Sequence, residues 1–135
     1  MKNSRFGFTM LELVFVIVVI GILSAIAIPK FAMTRSDAVV TKAKTTVAAI
    51  RAGVSAERQK RILEGNYSNV TTLDNVLQYG LKECSGSEKG CWVIDSGNHK
   101  YTFRMPDGSS VEFKLENNRF KCSNPNSDGC KKLTR

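Results

Sequence analysis

Apolar positions along the chain fall into three successive rhythms, each predicting a different element. Residues 8–28, FTMLELVFVIVVIGILSAIAI, are almost continuously apolar, and Glu12 is their single charge. As an α-helix these roughly 21 residues cover about 30 Å, the thickness of a hydrocarbon core. After Pro29 the rhythm changes. Val39, Ala43, Val47, Ile50 and Val54 recur every three or four residues, so they form one stripe of a helix. Lys42, Lys44, Arg51, Glu57, Arg58, Lys60 and Arg61 fall on the opposite, solvated face. The basic residues crowd the last turns, where they suit the negative end of the helix dipole, and Gly65 offers a terminator. One helix from residue 8 to about residue 63 would run roughly 80 Å at 1.5 Å per residue.

The third rhythm has a period of two. Polar residues 66–72, NYSNVTT, lead into LDNVLQYGL, which predicts a short helix started by Thr72 and ended by Gly80. Further on, His99, Tyr101, Phe103 and Met105 alternate with Lys100, Thr102 and Arg104. A Pro106-Asp107-Gly108-Ser109 turn follows, and Val111, Phe113 and Leu115 then alternate with Glu112, Lys114 and Glu116. Asn117-Asn118 turns the chain once more into RFKCS. With Trp92-Val93-Ile94 ahead, the pattern predicts an antiparallel meander of three or four strands. Its apolar face should cover the stripe of the long helix, which makes the fold class α+β.

Composition refines this picture in two respects. With 135 residues, 42% apolar and 24% charged, the chain holds one globular domain besides its opening segment. A core built from the remaining hundred or so residues is marginal without staples. Cys84, Cys91, Cys122 and Cys130, all in the second half, supply candidates. Four cysteines allow three pairings. The Gly/Ser/Asn-rich loops between Cys84 and Cys91 and between Cys122 and Cys130 favour two local bridges, each stabilising by about 2 to 3 kcal/mol. A zinc site made of all four is the rival reading, although structural zinc sites usually space their ligands two to four residues apart. The opening flank is basic, with Lys2 and Arg5 and no acid. That charge keeps the first residues in the cytoplasm and places everything after Pro29 in an oxidising compartment, where disulfides persist.

Three readings compete for the opening segment. A secretory signal peptide shares the basic start and apolar middle, and Ala25-Ile26-Ala27 would serve as its small-residue exit, releasing a soluble binding module after Ala27. A plain membrane anchor is the second. Neither explains Glu12, because an acid in a membrane helix costs about 2.5 to 3.5 kcal/mol and is kept where it has a partner or a use. The third rests on the run Gly7-Phe8-Thr9-Met10-Leu11-Glu12, the apolar helix after it and Pro29. This run resembles the N-terminus of type IV pilins and of the pseudopilins of type II secretion and DNA-uptake systems. In that family a prepilin peptidase cuts after the glycine and methylates the new N-terminus.

The resemblance covers roughly the first 55 residues and implies a domain plan. Residues 1–7 are a leader, 8–29 a transmembrane and polymerisation helix, and 30–135 a periplasmic head. Gly7 and Phe8 become the processing site, with Phe8 and Glu12 the assembly residues. An ammonium group freed at Phe8 and the Glu12 carboxylate of a neighbouring copy are each costly alone in an apolar layer. As a pair they become tolerable and fix the stagger of one helix on the next. Gly21 and Pro29 bracket a stretch that loses helical order in assembled filaments of the family, the alternative being an ordinary kinked membrane helix. Implied partners are other copies, other pilins or pseudopilins, prepilin peptidase, an inner-membrane assembly platform and the inner membrane itself. The small head favours a pseudopilin of a secretion-like system over a surface pilin or competence subunit.

Chemistry beyond assembly is sparse in the sequence. His99 is the only histidine, on the apolar strand face or at its start, and no motif of nucleophile, base and orienting acid surrounds it, so it is expected to be structural. No phosphate-binding glycine loop, no paired carboxylates at helical spacing and no H-x-x-x-H stand anywhere. No catalytic residue, metal ligand or cofactor is therefore assigned, and the chain is read as a non-enzyme. Residues 123–129, SNPNSDG, are oxygen-rich, and major pseudopilins often hold calcium in a C-terminal loop, but Asp128 is their only acid. Asn66-Tyr67-Ser68 is a glycosylation sequon with Glu64 two residues before it. The formal charge is +8, and loss of Lys2 and Arg5 leaves 18 basic against 12 acidic residues, about +6. That excess makes DNA a further candidate partner through phosphate contacts. Along the chain, however, the cations are scattered, acids interleave with them, and no aromatic ladder for stacking bases accompanies them.

Overall fold

The computed structural model describes residues 7–77 and 80–135, with side chains described for all of these except residues 28, 29 and 31–33. The chain divides into two units, Met1–Arg35 and Ser36–Arg135. The first helix, α1, is Met10–Leu63 and contributes to both. The strands β1 (Cys91–Asp95), β2 (Lys100–Arg104), β3 (Ser110–Glu116) and β4 (Arg119–Cys122) and a short helix α2 (Asp128–Thr134) follow.

In the first unit the large apolar side chains with described positions are all exposed. Residues Met10–Ala27 have a mean hydropathy of 2.8 and are long enough to cross a membrane, and none of that stretch is buried. Among the described residues of this unit, nothing covers them.

The second unit is a helix laid on an antiparallel meander. The sheet order is β1-β2-β3-β4, so every strand pairs with its sequence neighbour, in agreement with the period-two pattern. Ala43, Val47, Ile50 and Val54 of α1 are buried, with Val39 packed beside them. They meet Tyr101 and Phe103 of β2, Val111, Phe113 and Leu115 of β3, and Phe120 of β4 in one core cluster. Trp92 of β1 sits among the aromatic rings, 5.1 Å from Phe103 and 5.8 Å from Phe113, and Phe113 stacks on Phe120 at 4.9 Å. Alternation forces this arrangement, because side chains on a strand change face at every residue and only one face of this sheet is apolar.

Local chemistry sets the turns. Asn117 and Asn118 both adopt positive φ, 50° and 59°, as a two-residue hairpin requires if its twist is to match the strands. Asn118 Oδ1 also accepts the Val70 backbone N–H at 2.7 Å, tying the β3–β4 turn to the segment before the sheet. The end of α1 is a Schellman motif: the Asn66 N–H donates to the Arg61 carbonyl at 2.8 Å and the Gly65 N–H to that of Ile62 at 3.0 Å. Gly65 has φ +77°, which a glycine adopts without steric cost.

The structure refines the sequence reading at four places. The helix begins at Met10 with Thr9 as its cap, two residues later than expected. The helix predicted over LDNVLQYGL is, among the described residues, a turn at 74–76 closed by the Val76 N–H on the Leu73 carbonyl at 3.0 Å. A segment so short gains little from helical propagation, and burial of Leu73 and Val70 holds it in another path. Gln78 and Tyr79 of that expectation lie outside the described residues. Of the two places expected for His99, the apolar strand face or its start, it takes the start: it precedes β2 at φ 54°, closing a 3-10 turn, Ser96–Asn98, that Asp95 caps. Finally, α2 was not anticipated. Its signals are Ser127, whose hydroxyl accepts from the Cys130 N–H at 3.2 Å, Asp128 in the first turn, and Lys131 and Lys132 in the last.

Candidate functional site

Among the described residues, the N-terminal segment combines exposure, apolar length and a charge. Glu12 is engaged locally. The Thr9 N–H donates to Glu12 Oε2 at 3.1 Å, the Thr9 hydroxyl donates to the same oxygen at 3.3 Å, and the Glu12 N–H donates to Thr9 Oγ1 at 3.2 Å. This is a capping box, in which the side chains of the cap and of the third helical residue satisfy each other's backbone donors. Thr9-Met10-Leu11-Glu12 carries the spacing in the sequence, so the signal was legible although the charge drew attention away from it. Thr9 is thus a residue that sequence reasoning missed. The capping box uses Oε2; Glu12 Oε1 has no partner among the described residues.

The other residues singled out from the sequence take these positions. Gly7 and Phe8 precede the cap and are exposed. Residues 1–6, including Lys2 and Arg5, lie outside the described residues. At Gly21 a Cβ would meet nothing within 4 Å, so no packing among the described residues explains the glycine. The helix continues through position 29, and the Pro29 side chain lies outside the described ones.

Cysteine and basic residues organise the head. Cys84 pairs with Cys91 and Cys122 with Cys130, at Cα separations of 5.1 and 6.2 Å. The first bridge closes a loop beside β1, which the Arg104 guanidinium also holds through the Gly86 carbonyl. The second fastens α2 to β4. Among the described residues no group of three or more His, Cys, Asp or Glu could hold a metal ion. Within residues 123–129, Asn124 Oδ1 accepts the Asn126 N–H and the Ser127 hydroxyl donates to the Asn124 carbonyl at 2.9 Å.

The basic residues at the end of α1 do more than face solvent. Arg58 Nη1 donates to the Tyr67 and Ser68 carbonyls, both at 2.9 Å, and Arg61 bridges Glu57 at 3.0 Å while donating to the Asn69 carbonyl at 2.9 Å. They clamp the returning chain to the helix it has just left. Asn66 Oδ1 accepts the Ser68 N–H at 2.9 Å, so the sequon sits in an exposed Asx turn.

His99 Nδ1 is buried with no hydrogen-bond partner among the described residues. Three carboxylates are held below their usual range. The Asn98 side chain lowers Asp95, the Ser109 hydroxyl lowers Asp107, and the Ser123 hydroxyl lowers Glu112, which also meets Lys100 Nζ at 3.5 Å. Burial pushes the Tyr101 phenol up. These interactions brace turns and strands rather than converging on one cavity.

Comparison with known proteins bears on the N-terminal segment. Residues 2–28 match the family described as "Prokaryotic N-terminal methylation motif". Two fimbrial proteins of Pseudomonas aeruginosa are each 37% identical over 85 residues, 62% of this chain and 52% of theirs. The chain is type IV pilin-like. A fimbrial protein of Moraxella nonliquefaciens is 40% identical over 57 residues, 42% of the pilin-like chain and 37% of that relative. The pilin-like chain therefore spans about half the length of the Pseudomonas relatives it matches, and less of the Moraxella one. No solved structure matches it significantly. The exposed apolar helix and the pilin likeness fit membrane anchoring.

Proposed function

We propose that this chain is a structural subunit that polymerises through its N-terminal helix into a filament anchored in the inner membrane, most in keeping with a small pseudopilin of a type II secretion-like system. The observation that carries this is an apolar helix with no cover of its own and a carboxylate at its head. Exposed apolar surface of that extent calls for lipid or other helices. Prepilin peptidase would cut after Gly7, leaving residues 8–29 as the polymerisation helix and the remainder as a periplasmic head. In the processed chain Phe8 carries the ammonium and Thr9 and Glu12 keep the helix capped. Glu12 Oε1 then meets the ammonium of a neighbouring copy while Oε2 holds the cap. Pairing lowers the cost of both charges and sets the stagger between helices. Gly21 and Pro29 bracket the part of this helix that yields when the filament is stretched. No step in this function needs a catalytic residue, a metal or a cofactor.

The capping box supplies a sharper test than removal of the side chain alone. Glutamine at the third helical position can still cap, but it carries no charge. In a host with a prepilin peptidase, Glu12→Gln and Glu12→Ala should both be cut before Phe8 and stay in the membrane, yet both should fail to give filaments by shearing and electron microscopy. Filaments from Glu12→Gln at the parent level would show that capping, not charge, is what assembly needs. A mature chain beginning at Ile28 would replace the whole reading with a secreted module.

A further inference from the structure

We propose that Leu63 and Glu64, at the C-terminal end of α1, dock into a cavity between α1 and β1 of a second copy, so that heads join in a row. The contact rests on the subunit reading proposed above. Among the described residues of the head, the exposed large apolar side chains are Ile62, Leu63, Tyr67 and Val93, and the first three stand together. Leu63 is 88% exposed and Tyr67 73%, so nothing in their own copy covers them. The knob is held firmly. The Asn66 and Gly65 N–H groups bond back to the helix, and Arg58 and Arg61 grip the carbonyls of Tyr67, Ser68 and Asn69. A partner that receives it therefore orders little further chain. Glu64 beside Leu63 is exposed and enters no ion pair among the described residues.

The cavity has a volume of about 500 Å³ and opens near the other end of the head's part of α1. Val39 and Ala43 of α1, Leu81, and the Trp92 and Phe103 rings give it an apolar lining. Lys42 and Lys82, both exposed, are the charged groups among its described lining, with no carboxylate beside them. Lys42 enters no ion pair among the described residues, and Lys82 meets Glu88 only at 4.0 Å, where both side chains are more than half exposed. An apolar floor beneath two cations suits an apolar side chain followed by an acid, which Leu63-Glu64 supplies. One leucine does not fill the space, and the knob offers two further apolar side chains.

Knob and cavity cannot meet within one copy. Thr46, which also lines the cavity, and Leu63 lie on the same helix, 17 positions apart (46 to 63), or about 25 Å. The contact is therefore between copies, and its two halves are different surfaces. Each copy then gives its knob to one neighbour and its cavity to another, which extends a row and does not close a pair. Three side chains bury less than the roughly 1,200 Å² of a stable interface, so heads alone would stay apart. Copies already gathered by their N-terminal helices meet at high effective concentration, and there the contact fixes the step from one head to the next.

The test uses the full chain in a host with a prepilin peptidase and an assembly platform, and reads sheared filaments. Thr46→Cys/Leu63→Cys should give a ladder of covalent oligomers on mild oxidation, which a reductant collapses, whereas neither single variant should. Leu63→Asp and Lys42→Glu/Lys82→Glu should each cut filament yield about tenfold, since each puts an unpaired charge in the contact. Glu64→Lys added to Lys42→Glu/Lys82→Glu should restore most of that loss. Lys42, Leu63, Glu64 and Lys82 are all exposed, so the Tm of the head, followed at Trp92, should stay at the parent value. No ladder, with Leu63→Asp filaments at the parent level, overturns the proposal; if those filaments still depend on Glu12, the subunit reading stands without it. A parent chain that gives no filaments overturns both.

Discussion

Gly53 sits in the middle of α1, where its replacement by alanine ordinarily stabilises a helix by about 1 kcal/mol. In this fold the sign should reverse. A Cβ built there would lie 2.6 Å from Val76 Cγ1 and 2.7 Å from the Val76 carbonyl oxygen. The methyl group of Cγ1 can turn aside. The carbonyl cannot move alone, because the turn that holds it is closed by the Val76 N–H on Leu73 and anchored by buried Leu73. Overpacking of this kind costs about 1 to 3 kcal/mol, so after the propensity gain Gly53→Ala should lose about 1 kcal/mol. For a unit of about 100 residues that is a fall of roughly 4 to 8 °C in Tm. Trp92 is the only tryptophan and is buried against Phe103 and Phe113, so its fluorescence reports unfolding of the head. The assay is a thermal melt of the full chain in micelles, followed at Trp92. An unchanged or raised Tm would refute the argument. Val76→Ala added to Gly53→Ala should recover only part of the loss in a double-mutant cycle, since it removes the side-chain clash and leaves the carbonyl. Full recovery would contradict the role given to the backbone.

Two further outcomes follow from the head. Replacing Cys122 and Cys130 with serine should lower stability by about 2.5 kcal/mol, because the bridge closes a short loop, and should loosen α2 first; hydrogen exchange that stays protected across α2 would argue against the bridge as its fastening. Glu112 is held below its usual range chiefly by the Ser123 hydroxyl, so its contribution is present at neutral pH and is lost as the pH falls through its lowered value. The Tm gap between the parent and Glu112→Gln should accordingly be largest near neutral pH and close as the pH drops below the carboxylate range. A gap that persists in acid would assign the effect to packing.

Much of the architecture was present in local patterns. The stripe Val39, Ala43, Val47, Ile50 and Val54 requires no partner to be recognised as helical, and alternation from Tyr101 to Leu115 fixes both strand type and the face each residue takes, because these periods are properties of the backbone itself. The capping box was equally local, three residues of spacing from Thr9 to Glu12. What stayed hidden depends on chain segments distant in sequence. The path of residues 72–77 is decided by Gly53, some twenty positions away, admitting the Val76 carbonyl. Arg51 reads as a solvated cation until Phe120, 69 residues on, offers it a carbonyl. Lys114 and Lys121 belong to separate strands until the Asn117-Asn118 turn sets their register. Period and capping act within a few residues, so the sequence alone determined the long helix with its charged, membrane-length head and the four strands with their faces, whereas α2 and the path of residues 72–77 were not read from it. Close approach, register and the clustering of charge are interactions through space, and only the tertiary structure decided which backbones touch and which cations share a surface.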